Sequence, residues 1–320
     1  MYANLSLTVQ QYGLGSNYGY VCGGYSIGFN FYSTIDRFQF PFDSGIANHV
    51  GNLSGSRSDL SANNSSTYGY VCGGWGPFSI IDRFQFPFNS GTASQVGNLS
   101  GSRSDLSANN SSTYGYVCGG WNNSSSSYFS TIVRFQFPFD SGTASYVGNL
   151  SGTRIVLSAN NSSTHGYVCG GNDNWGSSNR FSTIDRFQFP FDSGTASKVG
   201  NLSGTRYGVG ANNSSTYGYV CGGWDSNYLS TIDRFQFPFD SGTASKVGNL
   251  SEGRNHLSAN NSSTHGYVCG GWVWSSSYFS TIDRFQFPFD SGTASYVGNL
   301  SGSRGWLSAT DGVDFVIMFV

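Results

Sequence analysis

The sequence is poor in charge. Only 10% of its 320 residues are Asp, Glu, Lys or Arg, and the formal net charge is -2. A chain this neutral offers no electrostatic footprint for nucleic acid or for an anionic membrane surface. Long apolar runs are missing too. The longest, Phe315-Val316-Ile317-Met318-Phe319-Val320, is far too short to cross a bilayer and reads as a buried strand. Met1-Tyr2-Ala3-Asn4-Leu5-Ser6 has neither the basic start nor the apolar stretch of a secretory leader. No Cys has a second Cys or His at ligand spacing, which argues against a zinc site. No Ser–His–Asp, paired-carboxylate or phosphate-loop pattern stands out. We therefore expect no catalytic residue, no metal and no cofactor.

What is present is glycine and aromatic side chains: 45 Gly, and 17% Phe, Trp and Tyr. That mix suggests many short strands joined by tight turns. The order behind it is a repeat. Tyr-Val-Cys-Gly-Gly recurs with its Cys at 22, 72, 118, 169, 221 and 269, spaced by 50, 46, 51, 52 and 48 residues. Each unit divides into four strand-like pieces, here in the second copy. The first lies near Leu60 to Asn63, before the Asn64-Ser65-Ser66 turn, and the second is Tyr68 to Cys72, ended by Gly73-Gly74. The third is Ile81 to Phe88, where Phe84, Phe86 and Phe88 alternate with Arg83, Gln85 and Pro87, a period of two that places the rings on one face. The fourth is Thr92 to Leu99.

Four strands in roughly 50 residues, repeated six times, describe the blades of an all-β propeller. The repeats run approximately over 5–54, 55–100, 101–151, 152–203, 204–251 and 252–301, with 302–320 as closing strands, all in one domain. Six copies of strands three and four stand beside seven of strands one and two. Six blades with a terminal hairpin as latch is the favoured arrangement, and seven blades with one incomplete is the alternative. The double glycine after strand two, the aromatic third strand closed by an Asp turn, and the Arg opening each next unit (57, 103, 154, 206, 254, 304) resemble the kelch repeat. Val-Gly-Asn-Leu stands where that repeat usually has a Trp. More narrowly, the Ile-Asp-Arg…Asp-Ser-Gly-Thr-Ala-Ser…Asn-Ser-Ser-Thr-Tyr-Gly-Tyr pattern is similar to kelch-like arrays in tail-fibre and virion-associated proteins of marine bacteriophages. That resemblance implies a kelch-like propeller in a virion, with an extracellular or cell-surface location as the alternative.

The copies differ in two places. The loop between strands two and three spans 25–32, 75–78, 121–129, 172–181, 224–229 and 272–279; removing its length from each Cys spacing leaves 42 every time. The second place follows the opening Arg: Ser58-Asp59, Ser104-Asp105, Ile155-Val156, Tyr207-Gly208-Val209, Asn255-His256 and Gly305-Trp306. In a four-stranded meander both segments emerge at one end, and all seven Trp fall in them. Rigidly framed aromatic loops are the usual material of a recognition surface. The candidate binding residues are Trp175, Trp274, Trp306, Tyr207, His256, Asn122 and Asn123, together with Trp75, Trp121, Trp224 and Trp272, which share the place after the double glycine and are equally suited to packing on the blade.

Other polar residues read as architecture. Of the 15 Lys and Arg, 12 are Arg at two fixed repeat positions. Asp36, Asp82, Asp185, Asp233 and Asp283 precede the strand-three Arg, with Val133 in the third copy, and are expected to link to Arg within or between blades. Asp43, Asp140, Asp192, Asp240 and Asp290, with Asn89 in the second copy, read as Asx-turn formers. The six Cys, one per blade, should stay free, buried thiols, since neighbouring blades pack about 10 Å apart and a bridge needs Cα atoms within about 7 Å. The function expected is a non-enzymatic binding or adhesion module recognising a host surface glycan or protein. The alternatives are a structural block assembling with itself or other virion proteins, and a kelch-propeller oxidase or sialidase-like enzyme. Membrane insertion and nucleic-acid binding are not expected.

Overall fold

The computed structural model describes residues 17–76, 78–175, 179–274 and 277–312. Tyr68–Cys72 forms the second strand of blade 2, between the inner strand Ser61–Asn64 and the third strand Ile80–Gln85, with Ser94–Asn98 outermost. All neighbours in this sheet are antiparallel. Blades 3 to 6 repeat it, with inner strands Ser107–Asn110, Ser158–Asn161, Gly210–Asn213 and Ser258–Asn261. Blade 1 is composite. Its inner strand is Ser308–Gly312, laid antiparallel on Tyr18–Cys22 with Cys22 opposite Ser308 and Tyr18 opposite Gly312. The result is an all-β propeller of six four-stranded blades, closed by the strand Ser308–Gly312. The expected second closing strand, Val313–Val320, and the segment 1–16 lie outside the described residues.

The third strand is shorter than its aromatic alternation predicts. It ends at Gln85, and the Phe86–Pro87 peptide that follows is cis. Pro87 has no N–H to offer a ladder. Phe86 nevertheless stays buried, its ring stacked 5.2 Å from Tyr20 of blade 1.

The core lies between blades. In strand two, Tyr70 and Cys72 face blade 3, where they meet Val117, Phe135 and Phe137, while Val71 faces blade 1 among Tyr20 and Ile35. Six such clusters ring the molecule. Every Cys is a fully buried free thiol. Burial pushes Cys72 up to about 12, so it fills space and is not a nucleophile at neutral pH.

Polar contacts join the same interfaces. Deep inside, the Asp82 carboxylate accepts from the Ser54 N–H and hydroxyl at the end of blade 1, and from Arg57 at 2.9 Å. Asp185, Asp233, Asp283 and Asp36 repeat this node with Arg154, Arg206, Arg254 and Arg304. Further out, the Phe139 N–H donates to the Tyr70 hydroxyl of the preceding blade, and Arg83 reaches across to Asp140. Asp140, Asp192, Asp240, Asp290 and Asp43 all accept from the third-strand Arg of the blade before, a link that the Asx-turn expectation did not include.

These two rings of ion pairs differ in worth. A buried pair that loses one partner leaves a desolvated charge and costs about 3–5 kcal/mol, whereas an exposed pair contributes about 0–1 kcal/mol. Asp82 is fully buried, and the Asp140 carboxylate is 68% exposed. Asp82→Asn should therefore lower stability by about 3–5 kcal/mol, and Asp140→Asn by less than about 1 kcal/mol, in urea titrations followed by tyrosine fluorescence. A chain ended at Leu307 loses the five-residue latch ladder, and its melting temperature should fall by about 10 °C or more in calorimetry.

Candidate functional site

The double glycine brings the two variable segments together. Gly73 has φ +65°, and a Cβ there would sit 2.5 Å from the Arg103 carbonyl oxygen. Gly74 N–H instead donates to that oxygen at 3.0 Å, and the next residue, Trp75, donates to Ser58 O at 2.7 Å. Equivalent antiparallel bridges pair Tyr25 with Gly305, Trp121 with Ser104, Asn172 with Ile155, Trp224 with Tyr207, and Trp272 with Asn255. Both kinds of variable segment therefore stand on one face. The opposite face carries the Asn-Ser-Ser turns around a vestibule lined by residues such as Asn64, Ser65, Asn110 and Ser111.

On the variable face, the second residue after each opening Arg closes a ring around the axis. Asp59 N–H donates to Trp306 O, Asp105 to Asp59, Val156 to Asp105, Gly208 to Val156, His256 to Gly208 and Trp306 to His256, all at 2.8–3.0 Å. All six residues are left-handed, with φ between +49° and +66°. Six backbone bonds run head to tail and use no side chain. The side chains there can vary freely without opening the ring, which is what the sequence comparison among copies shows.

Two unlike sectors surround this ring. Across blades 5, 6 and 1, one aromatic network runs from Phe29 to Tyr25 (6.3 Å), Trp306 (5.9 Å), Trp272 (5.3 Å) and Trp274 (5.9 Å). A branch leaves Trp306 through His256 (4.1 Å, nearly parallel) and Tyr207 (6.0 Å) to Trp224 (5.5 Å), over which the Arg180 guanidinium lies at 4.2 Å. Its outer members are open to solvent, Phe29 at 83% and Trp274 at 79%, with Ile27 also exposed. Neither contributing loop, 25–32 or 272–279, contains a charged residue. The sector over blades 2 to 4 is different. Trp75 meets Trp121 at 5.3 Å, Trp121 stacks on Tyr128, and the Trp175 N–H donates to the Tyr128 hydroxyl.

The structure thus gathers Trp306, Tyr207, His256, Trp224, Trp272 and Trp274 into one network and Trp75, Trp121 and Trp175 into another. His256 does not offer its ring to solvent. It is 7% exposed and clamped against Trp306, and burial pushes its pKa down to about 3, so the ring is neutral. Asn122 is occupied as well, its carboxamide oxygen capping the Ser124 and Ser125 N–H groups, while Asn123 is exposed. Trp121 and Trp272 are half-buried, in keeping with their alternative packing role.

Sequence reasoning missed Tyr25, Phe29 and Ile27, although Tyr25 occupies the position of four of the tryptophans. It also missed a carboxyl pair. Asp59 and Asp105 are hydrogen-bonded to each other across blades 2 and 3, with the Ser58 and Ser104 hydroxyls donating to them. Burial pushes Asp59 up to about 6; burial first, then the Asp59 charge, push Asp105 well above the carboxylate range. Among the described residues, no three His, Cys, Asp or Glu side chains come together as metal ligands. No family model matches the sequence, and no curated protein matches it.

Raised carboxyl pKa values stabilise the fold below the unfolded-state value near 4, and that contribution is lost as pH rises through the folded-state values. Between pH 4 and pH 7 the Asp59–Asp105 pair should therefore cost the wild type stability. Asp105→Asn, which keeps the hydrogen bond and removes the second charge, should flatten this part of a melting-temperature profile. An unchanged slope in the variant would show that the pair does not titrate in this window.

Proposed function

We propose that this chain is a non-enzymatic binding module of kelch-like type, a virion or tail-fibre component that engages a host surface glycan or protein through its variable face. The observation that carries this reading is the uncharged aromatic network of Tyr25, Trp272 and Trp306, opened to solvent at Phe29 and Trp274 and standing where the six copies are free to differ. Contiguous exposed apolar surface on a soluble protein marks an interaction site. Large, rigid rings bury much area at low entropic cost, and Tyr and Trp dominate binding hot spots. The kelch-like and virion assignments rest on the repeat pattern, and the glycan or protein ligand on the chemistry of the rings.

The test is binding of labelled protein to a glycan array and to host cell surfaces. Trp274→Ala should weaken binding about tenfold or more, and Ser66→Ala on the opposite face should leave it unchanged. Equal losses in both variants, or no binding to any surface, would overturn the proposal. Should the same rings drive self-association instead, light scattering would show an oligomer that Trp274→Ala dissolves, and the structural-block reading would take its place.

A further inference from the structure

Five blade interfaces contain the buried Asp–Ser–Arg node, and one does not. In the third copy Val133 replaces the Asp, is fully buried, and packs with Val117 and Phe135. The backbone around it is unchanged. Leu99 N–H donates to Ser79 O at 2.6 Å, as Leu53 does to Ser33 at 2.7 Å; Arg103 N–H donates to Phe78 O at 3.2 Å, as Arg57 does to Tyr32 at 3.1 Å.

The donors are therefore still in place. Ser54, Ser151, Ser203, Ser251 and Ser301 each give their N–H and hydroxyl to the Asp. Ser100 is their equivalent in the interface that has Val133. The Arg pose is kept as well. Arg103 Nη1 donates to Gly119 O and the Thr131 hydroxyl, as Arg154 Nη1 donates to Gly170 O and Thr183 O while its Nη2 holds Asp185. Arg103 is 2% exposed, and its ion-pairing partner among the described residues is missing; a Phe129 ring at 4.6 Å is what faces its guanidinium. Burial lowers its pKa only to about 10, so it remains a cation at neutral pH. An uncompensated buried charge is among the most destabilising features a fold can hold.

We propose that the interface between blades 2 and 3 binds a small monatomic anion, chloride in ordinary salt, held by Arg103 and the Ser100 N–H and hydroxyl in place of the carboxylate that the other five interfaces supply. The donors converge on the ground of two carboxylate oxygens, and Val133 fills the rest. That favours a small halide over phosphate or a ligand carboxylate. Ser100 is exposed, so the ion reaches the site from solvent.

The experiment compares melting temperatures in sodium bromide and sodium gluconate at one ionic strength. The wild type should gain about 2–4 °C in bromide with saturable dependence. Val133→Asp, which brings its own carboxylate, should melt higher in gluconate and show no bromide response. No bromide effect in the wild type, or an equal effect in both proteins, would overturn the proposal. Anomalous diffraction from wild-type crystals grown in bromide decides independently of the variant's folding: a peak between Ser100 and Arg103, missing at the other five interfaces, is the expected result, and its absence there refutes the site.

Discussion

The Ser–Arg seam between neighbouring blades, closed by a buried carboxylate at five of the six interfaces, is the contact on which the rest of this molecule depends. Asp82 ties the end of one outer strand, through Ser54, to the crossover that opens the next blade, through Arg57. The crossover then descends past the double glycine of its own blade, along the same path in all six copies. That path places Asp59 in the axial ring and Ser58 against Trp75. The geometry of the variable face is inherited from a node that lies beneath it and whose residues scarcely vary. Loops of 4 to 10 residues can be hung on such a frame without disturbing it, because the attachment bonds that every copy shares are main-chain bonds.

The fold was legible because the repeat multiplies weak signals. One Tyr-Val-Cys-Gly-Gly segment says little; six at near-constant spacing leave little besides a closed ring of small sheets. The division into a constant and a variable face was legible for the same reason, since six copies in one chain compare with one another. The limits of each strand were less so. Phe86 and Phe88 continue the alternation of Phe84 on paper, yet the chain has already turned at Pro87, and their burial comes from the neighbouring blade.

Within the candidate site, what escaped the sequence is adjacency between blades. Asp59 and Asp105 are 46 positions apart, and only the ring of left-handed crossover residues brings them into contact. His256 looks like a free imidazole on a loop, but the same ring turns it onto Trp306. Phe29 and Trp274 come from opposite ends of the chain and share a surface only because the latch places blades 6 and 1 side by side. A pattern along one chain shows which residues are alike, and contacts between copies must be added from the closed structure.

The latch is itself marked. Five inner strands carry Ala-Asn-Asn at their centre, and the sixth carries Ala309-Thr310-Asp311. Thr310 donates to the Asn64 carboxamide, and the Asp311 carboxylate accepts from the Asn261 N–H. Because Ser308–Gly312 follows all the other blades in the sequence, blade 1 leaves the ribosome with Tyr18–Cys22 as an open edge and keeps it open until those blades have been made. Any of the earlier Asn-Asn strands is similar enough to dock there prematurely. A distinct Thr-Asp signature on the closing strand gives the growing chain a way to tell the proper partner of Tyr18–Cys22 from five near-copies of it.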